Sequence, residues 1–251
     1  MCGCALVTGP VQRFARQIAG QGYICAAPSS FHGFEGPEPL AYDGPGTDRG
    51  NELKITKEVA SYDEDARLSV DALLALKTCN GKVGATGMCL GGHLAYRAAL
   101  DGRVSAAVCY FATDIHGHSL GFGKCDDSLQ RVGEIAAELA LVCSPPPSPP
   151  VILVSRAGEW IVLIRWMGVG QIFGKLDNHV PPAGRDLIRK TLHDAGTRFS
   201  FYEFAWAQHA YASLSFLSFR NITGRNQVHT RRELQGPVRP WRQQSVLRDL
   251  A

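Results

Sequence analysis

Residues 82–112, KVGATGMCLGGHLAYRAALDGRVSAAVCYFA, contain the pattern that decides the fold. Lys82–Met88 is predicted as a strand, Leu90–Leu100 has the apolar spacing of a helix, and Val104–Ala112 is the β-branched and aromatic run of an interior parallel strand. A strand, a helix and a strand in succession predict a parallel sheet covered by helices on both faces. In such sheets the functional groups lie on loops at the carboxyl ends of the strands.

The same alternation continues on both sides of this unit. Apolar spacing predicts further helices over Gly9–Gly20, Lys54–Lys77, Ser128–Leu141 and Pro181–Ala195. Strands are predicted over Tyr23–Pro28, Gln171–Gly174 and Thr197–Ala205, and a surface loop over Ser29–Gly50. The sequence therefore predicts an α/β fold, an α/β-hydrolase-like, mostly parallel sheet flanked by helices.

Composition predicts one globular domain and excludes whole classes of protein. The chain has 251 residues, 45% hydrophobic and 20% charged, which is ordinary for a globular domain and excludes disordered and collagen-like chains. The start of the chain lacks the pattern of a secretory signal, and Val151–Val169 is interrupted by charges at Arg156, Glu159 and Arg165. We therefore expect a cytoplasmic, monomeric protein that does not enter a membrane.

The net charge of +3 is concentrated in the C-terminal tail, where seven Arg and no Lys follow Tyr211. Residues 1–211 show no cluster of basic residues interleaved with aromatic ones, so we expect no nucleic-acid partner. Eight Cys are scattered without CxxC pairs, which favours free thiols over disulfides or a zinc site.

The pentapeptide Gly87-Met-Cys-Leu-Gly91 lies between a predicted strand and a predicted helix. This is the setting of a nucleophile elbow, with Cys89 where most such enzymes have Ser. The backbone N–H of Leu90, at the start of the helix, is the candidate donor to an oxyanion. Taken alone, the pentapeptide is more typical of a buried structural cysteine in a glycine-rich turn.

Two downstream residues complete a candidate catalytic triad. Asp177 follows one predicted strand and His209 follows the last, and the order nucleophile, Asp, His is that of α/β-hydrolases. Singly, Asp177 is equally consistent with an acid ahead of a helix, and His209 with a surface loop. Together they match a thiol chemistry in which the imidazole removes the thiol proton and the carboxylate orients the imidazole.

With these residues the sequence resembles the dienelactone hydrolase family over Val7–Leu141 and Ile172–Tyr211. The resemblance lies in four motifs: Gly84-Ala-Thr-Gly-Met-Cys-Leu-Gly-Gly92, Tyr110-Phe-Ala-Thr-Asp114, Gly174-Lys-Leu-Asp-Asn-His-Val-Pro-Pro182 and Trp206-Ala-Gln-His-Ala210. It implies a single-domain hydrolase of enol-lactones and related activated esters, which are small molecules. It also implies that Cys89, His209 and Asp177 form the triad and that no cofactor is needed.

Two departures from the family pattern suggest other functions. Cys2–Leu6 has no acid where the family has one, and the first strands are missing. Ser213 stands where the family has an Arg that resembles an anchor for the substrate carboxylate. The alternative is therefore a catalytically impaired fragment or non-enzymatic binding protein that retains the triad. A redox or acyl-transfer role for Cys89 is a third hypothesis, although no resolving Cys has a suggestive spacing.

Two segments do not fit the domain. Residues 142–171 contain five prolines between Cys143 and Pro150, and their removal joins Glu138–Leu141 to Ile172–Lys175 as one apolar strand. We predict that 142–171 is a foreign insert, resembling a retained intron. We also expect it to leave the strand before Asp177 short and that carboxylate misplaced. The predicted organisation is a domain over 1–211 and a basic tail over 212–251 outside the family pattern.

Weaker candidates surround the predicted site. Arg49, in a glycine-rich loop, is a candidate substrate-binding residue, although a solvated loop arginine explains it more simply. His116 and His118 resemble a metal pair, but their spacing on a loop is common for surface polar residues. We therefore expect no metal.

Overall fold

A computed structural model of the chain describes residues 9–36, 38–41, 43–141, 171–205 and 207–209. The helices are α1 (Gly9–Ala19), α2 (Gly44–Thr56), α3 (Val59–Leu74), α4 (Leu90–Ala98) and α5 (Pro182–Asp194). The strands are β1 (Val83–Met88), β2 (Val104–Tyr110), β3 (Glu138–Leu141), β4 (Gln171–Gly174) and β5 (Phe199–Phe204). Short 3₁₀ turns cover Phe122–Lys124 and Val132–Glu134. None of the described helices is long and apolar enough to cross a bilayer.

The strands form one sheet in which every pairing is parallel, and the predicted α/β class is confirmed. The main core packs α4 and α5 against the middle of this sheet. Its largest fully buried side chains include Tyr96 of α4, Phe173 of β4 and Ile188 of α5. Because all strands run the same way, their carboxyl ends meet at one edge of the sheet, and the loops that leave this edge carry the candidate site.

β3 and β4 occupy the same position in the sheet, between β2 and β5. Leu141 and Gln171 both pair with Phe201, and Ile172 then pairs with Tyr202. Along β2, Ala140 pairs with Val108 and Ile172 pairs with Tyr110. One residue of β2 lies between these two pairs, which leaves one position for Leu141. The register is therefore that of a single strand in which Ile172 follows Leu141.

The predicted insert falls on residues 142–170, outside the described residues, and on Gln171. The expectation that it misplaces the strand before Asp177 is wrong. β4 keeps four consecutive pairs with β5, from Gln171 opposite Phe201 to Gly174 opposite Phe204. β3 and β4 therefore keep a common register against β5 on the two sides of residues 142–170.

Several predicted elements differ from the structure. Tyr23–Pro28 forms no sheet ladder with the described strands, and a strand needs a hydrogen-bonded neighbour. The predicted loop over Ser29–Gly50 already contains the start of α2. The predicted helix over Lys54–Lys77 is divided, because Lys57 is extended and its Nζ donates to the Ser30 carbonyl oxygen at 2.8 Å.

The predicted helix over Ser128–Leu141 is also wrong. Only a 3₁₀ turn, Val132–Glu134, forms there, and the last four residues are β3. The position between β2 and β5 offers hydrogen bonds along both edges of Glu138–Leu141, and this pairing overrides the local helical spacing.

A buried ionic cluster fixes the body of α4. Arg97 donates to both carboxylate oxygens of Asp63 at 2.8 Å, and its Nη1 donates to Asp126 at 2.9 Å and Asp127 at 2.8 Å. His93, also on α4, lies 2.8 Å through Nε2 from Ser128 Oγ. Since Asp63 belongs to α3, the cluster ties α4 to α3 and to the loop before β3.

Candidate active site

Cys89 lies at a strained turn between β1 and α4. Its φ of 58° and ψ of −121° are rare for a residue with a side chain, and its N–H donates to the Tyr110 carbonyl at 2.9 Å. The turn is tight: a Cβ at Gly87 would lie 2.1 Å from the carbonyl oxygen of Gly91. Glycine at position 87 is therefore needed for this turn, which holds the thiol at the N-terminus of a helix.

Two loops that leave the carboxyl ends of β4 and β5 are bonded to each other. Lys175 N donates to the Phe204 carbonyl at 2.8 Å, and Leu176 N donates to the Ala207 carbonyl at 3.0 Å. The approach is so close that a Cβ at Gly174 would lie 2.0 Å from the Ala207 oxygen. One loop carries Asp177 and the other His209, so these backbone bonds fix the separation of the two side chains.

The structure brings Cys89, His209 and Asp177 together in one hydrogen-bond chain. His209 Nε2 lies 3.3 Å from Cys89 Sγ, and His209 Nδ1 lies 2.9 Å from Asp177 Oδ2. The other oxygen of Asp177 accepts from the backbone N–H of His179 at 2.8 Å and of Val180 at 3.2 Å. The carboxylate is thus fixed from both sides and orients the imidazole toward the sulfur.

Burial and charge set the protonation of His209. Burial alone lowers its pKa, but the hydrogen bonds to Asp177 and Cys89 outweigh this and raise the pKa from 6.5 to about 9. The imidazole is therefore a strong base toward the Cys89 thiol, and its protonated form is well stabilised. The Phe111 ring packs edge-on against it, with centroids 5.1 Å apart.

His179 is a second imidazole beside the candidate triad. Its ring lies 4.2 Å from the His209 ring, centroid to centroid, at an interplanar angle of 39°. Burial and the neighbouring charge of His209 lower the pKa of His179. His179 thus covers one face of the catalytic-base candidate as a neutral ring.

The remaining predicted site residues occupy different settings. Leu90 is the first residue of α4, and its N–H belongs to the first-turn amides that have no acceptor within the helix. Arg49 lies on α2 and is engaged by two carboxylates, Glu35 at 2.7 Å and Glu52 at 2.8 Å. Among the described residues no group of three His, Cys, Asp or Glu could hold a metal ion.

Sequence reasoning missed a line of polar residues that runs away from the nucleophile. Thr113 Oγ1 lies 3.9 Å from Cys89 Sγ, and the next residue, Asp114, accepts from Lys54 Nζ at 2.9 Å and Ser119 Oγ at 2.7 Å. The sequence signal was Asp114, shortly after the predicted strand Val104–Ala112, but its partners come from α2 and a later loop. Sequence spacing alone does not bring these together.

Comparison with known proteins supports the same grouping. The model of the dienelactone hydrolase family matches residues 5–132. A protein of Saccharomyces cerevisiae named "Putative carboxymethylenebutenolidase" is 48% identical over 206 residues, which are 82% of this chain. The chain spans 66% of the length of this curated relative.

Solved structures agree on the fold. A dienelactone hydrolase candidate from Klebsiella pneumoniae superimposes with a TM-score of 0.60 at 15% identity, covering 84% of this chain and 74% of its own. A dienelactone-hydrolase-like promiscuous phosphotriesterase from metagenomic libraries gives a TM-score of 0.55, also at 15% identity, covering 83% of this chain and 69% of its own. At such low identity, these likenesses concern the fold alone.

Proposed function

Because this chain belongs to the dienelactone hydrolase family, we propose that it hydrolyses lactones or activated carboxylic esters with Cys89 as the nucleophile. The observation that carries the proposal is the hydrogen-bond chain from Cys89 Sγ through His209 to Asp177 Oδ2. The substrate is a small molecule with an acyl carbon open to attack by sulfur, such as an enol-lactone. The alternative of an impaired fragment or a binding protein is not favoured, since the three side chains lie in contact.

In the first half of the reaction, His209 Nε2 takes the thiol proton and the Cys89 thiolate attacks the carbonyl carbon. Asp177 holds the proton on Nδ1 and stabilises the imidazolium. The new oxyanion accepts from the Leu90 N–H at the N-terminus of α4. When the tetrahedral intermediate collapses, the C–O bond of the ester breaks and His209 returns its proton to the leaving oxygen.

In the second half, water hydrolyses the Cys89 thioester. His209 removes a proton from the water, the carbonyl carbon becomes tetrahedral again, and Cys89 leaves as the thiolate, which takes the proton back from His209. The product is the free acid, and the enzyme returns to its starting state. No cofactor enters either half. Arg49 is a weaker proposal as a substrate-binding residue, because Glu35 and Glu52 already neutralise it.

The test is turnover of an enol-lactone and an aryl ester, with intact-protein mass spectrometry on samples quenched within a turnover. We expect a mass increase equal to the acyl group, which peptide mapping places on Cys89. Turnover without an acyl adduct on Cys89 contradicts the nucleophile assignment. No turnover of any ester by folded protein contradicts the hydrolase. The monomeric state, the cytoplasmic location and the absence of a nucleic-acid partner stay predictions.

A further inference from the structure

The Cys89 thiol has a second polar neighbour besides His209. Thr113 Oγ1 lies 3.9 Å from Cys89 Sγ, within the range of a hydrogen bond to sulfur, and both residues are buried. The backbone ties them as well, because Thr113 N donates to the Cys89 carbonyl at 3.4 Å. The hydroxyl therefore keeps its place beside the sulfur.

A strained turn directs the residues that follow β2. Ile115 N donates to the Thr113 carbonyl at 2.8 Å, which closes a γ-turn centred on Asp114, and Asp114 has a φ of 69°. A γ-turn with positive φ is rare and costs conformational energy in a residue with a side chain. The turn therefore fixes the conformation of Asp114, the chain neighbour of Thr113.

The two oxygens of Asp114 differ. Oδ1 accepts from Lys54 Nζ and Ser119 Oγ, whereas Oδ2 is buried and has no partner of ordinary geometry in the described part of the chain. Burial alone raises the pKa of Asp114, but Lys54, Ser119 and the Thr113 hydroxyl together lower it. Asp114 is thus a charged acceptor next to Thr113 in the chain, and Thr113 has only one hydroxyl proton to donate.

We propose that Thr113 is a positioning residue for the thiol: its hydroxyl proton points to Asp114 while Cys89 is protonated, and turns to the sulfur when the thiolate forms. In the first state the S–H points to His209 Nε2, which lies 3.3 Å from the sulfur. In the second state the hydroxyl donates to a negative sulfur, and a hydrogen bond to a charged group is the stronger kind. The inference rests on the proposed role of Cys89.

Other titratable groups lie in the same part of the site. They are His209 with Asp177 behind it, the Asp114–Lys54 ion pair, and the neighbouring rings of His179 and His116. An experiment on Thr113 must therefore separate the effect of its proton from the effect of the Asp114 charge. A double-mutant cycle does this.

The measurement is the rate at which iodoacetamide alkylates the Cys89 peptide, followed by mass spectrometry from pH 5 to 10 on the full chain. Cys109 is the internal control, because it is fully buried and burial raises its pKa far above the ordinary value. Thr191→Val on α5 is the matched control substitution, since its hydroxyl bonds only within its own helix, to the Leu187 carbonyl at 2.9 Å. Circular dichroism establishes folding.

In Thr113→Val we expect the alkylation profile of Cys89 to move to higher pH, with the rate at pH 7 lowered by about three- to tenfold, the worth of one hydrogen bond. Thr113→Ser keeps the parent profile. Asp114→Asn raises the rate, because the hydroxyl is released to the sulfur and a negative charge is removed. When Asp114→Asn is combined with Thr113→Val, only the removal of the Asp114 charge still acts, so the alkylation rate of Cys89 rises less.

A Thr113→Val profile that superimposes on the parent overturns the inference and leaves the hydrolase proposal intact. An Asp114→Asn effect of equal size in the parent and in Thr113→Val also overturns the inference. If Thr113→Val folds poorly, Thr113→Ala replaces it in this comparison. If Cys89 in the parent reacts no faster than Cys109, the nucleophile proposal fails, and the role of Thr113 fails with it.

Discussion

Two clusters at α4 contain a nucleophile-type side chain, a histidine and an aspartate. Only one of them has the hydrogen-bond order of a hydrolase triad. At the start of α4, His209 bonds Cys89 through one nitrogen and Asp177 through the other. On the body of α4, His93 Nε2 bonds Ser128, but Ser128 Oγ donates to Asp126 at 2.6 Å.

In the second cluster the acid therefore contacts the hydroxyl rather than the far nitrogen of the imidazole. His93 Nδ1 is buried and has no hydrogen-bond partner within the described residues. His93 and Ser128 also lie on the body of α4 and in the loop before β3, away from the loops that leave the carboxyl ends of β4 and β5. A catalytic triad is therefore defined by the order of its hydrogen bonds and by a position at the end of the strands, not by composition.

The largest effect on activity is expected from removing the side chain of Cys89, and the matching change in the other cluster is Ser128→Ala. Cys89→Ala should lower ester hydrolysis by at least about 10³-fold, because no thiolate remains to form the acyl-enzyme. Ser128→Ala should keep activity per folded molecule within about threefold and lose about 1–3 kcal/mol of stability through its buried partners. Initial rates and urea unfolding measure both. The reverse pattern of activities would show that the wrong cluster was chosen.

Two cysteines serve as controls for this prediction. Cys25→Ala and Cys109→Ala should leave hydrolysis intact and lower the free energy of unfolding by a few kcal/mol at most. Neither lies at the turn between β1 and α4. Loss of activity in either variant, with folding preserved, would count against a single reactive thiol.

Asp177→Asn should have the next largest effect on activity. The asparagine cannot hold the Nδ1 proton or stabilise the imidazolium, and in serine proteases the matching change costs about 10⁴-fold in kcat. We expect a drop of about 10³- to 10⁴-fold in this enzyme. Asp126→Asn, the matching change in the other cluster, should affect stability instead of kcat. Equal activity of Asp177→Asn and the parent would remove Asp177 from the mechanism.

The pKa of His209 gives a second measurement on the same variant. In the parent it is raised to about 9, so the stabilisation that His209 contributes is fully present below about pH 6.5 and is lost as pH rises through 9. In Asp177→Asn the pKa should fall toward its ordinary value, and this loss should move to lower pH. NMR titration of His209 and unfolding at several pH values measure both. An unchanged pKa would mean that Asp177 does not control this imidazole.

Arg97→Met should chiefly change stability. Arg97 is buried between Asp63, Asp126 and Asp127, and removing one partner of such a cluster leaves uncompensated charge at a cost of about 3–5 kcal/mol. Arg103→Met is the control, since Arg103 pairs with Asp71 and Asp101 at the surface and its loss should cost under about 1 kcal/mol. Equal unfolding midpoints would show that the cluster does not stabilise α4.

The sequence predicted the elements and residues that depend on local pattern. β1, α4 and β2 follow from a short continuous run, and the proposed triad was inferred from strand ends and chain order. The wrong predictions concern segments whose secondary structure depends on whether a neighbouring strand is present to pair with them. Tyr23–Pro28 has strand-like residues but no described strand beside it, and Glu138–Leu141 has helical spacing but two strands beside it. Neither neighbour can be read from the segment itself.

The buried cluster escaped prediction for the same reason. Arg97 and Asp63 lie 34 residues apart, and nothing in their spacing indicates an ion pair. The proposed role of Thr113 depends on a contact of 3.9 Å with Cys89, which follows β1. The motif Tyr110–Asp114 does not indicate that contact. Long-range polar contacts of this kind arise from the packing of α4 on the sheet, which becomes known only with the fold.

The smallest effect is expected from deleting residues 142–171, which should disturb neither cluster. The deletion makes Ile172 follow Leu141, and these residues already pair with the consecutive residues Tyr202 and Phe201 of β5. One uninterrupted strand then leads to Asp177. Because Asp177 already bonds His209 at 2.9 Å, the gain in kcat should be at most about twofold.

The gain should appear in folding instead. Joining β3 to β4 removes the entropy cost of bringing together two chain ends about 30 residues apart, which grows slowly with length and amounts to a few kcal/mol at most. We expect a higher soluble yield, an equal or higher unfolding midpoint and an unchanged circular dichroism spectrum. Replacing 142–171 by a Gly/Ser linker of the same length is the control, and it should leave the yield near that of the parent. If the deletion prevents folding while the linker does not, β3 and β4 cannot be one strand in the folded chain, and the register shared at Phe201 does not describe a continuous strand.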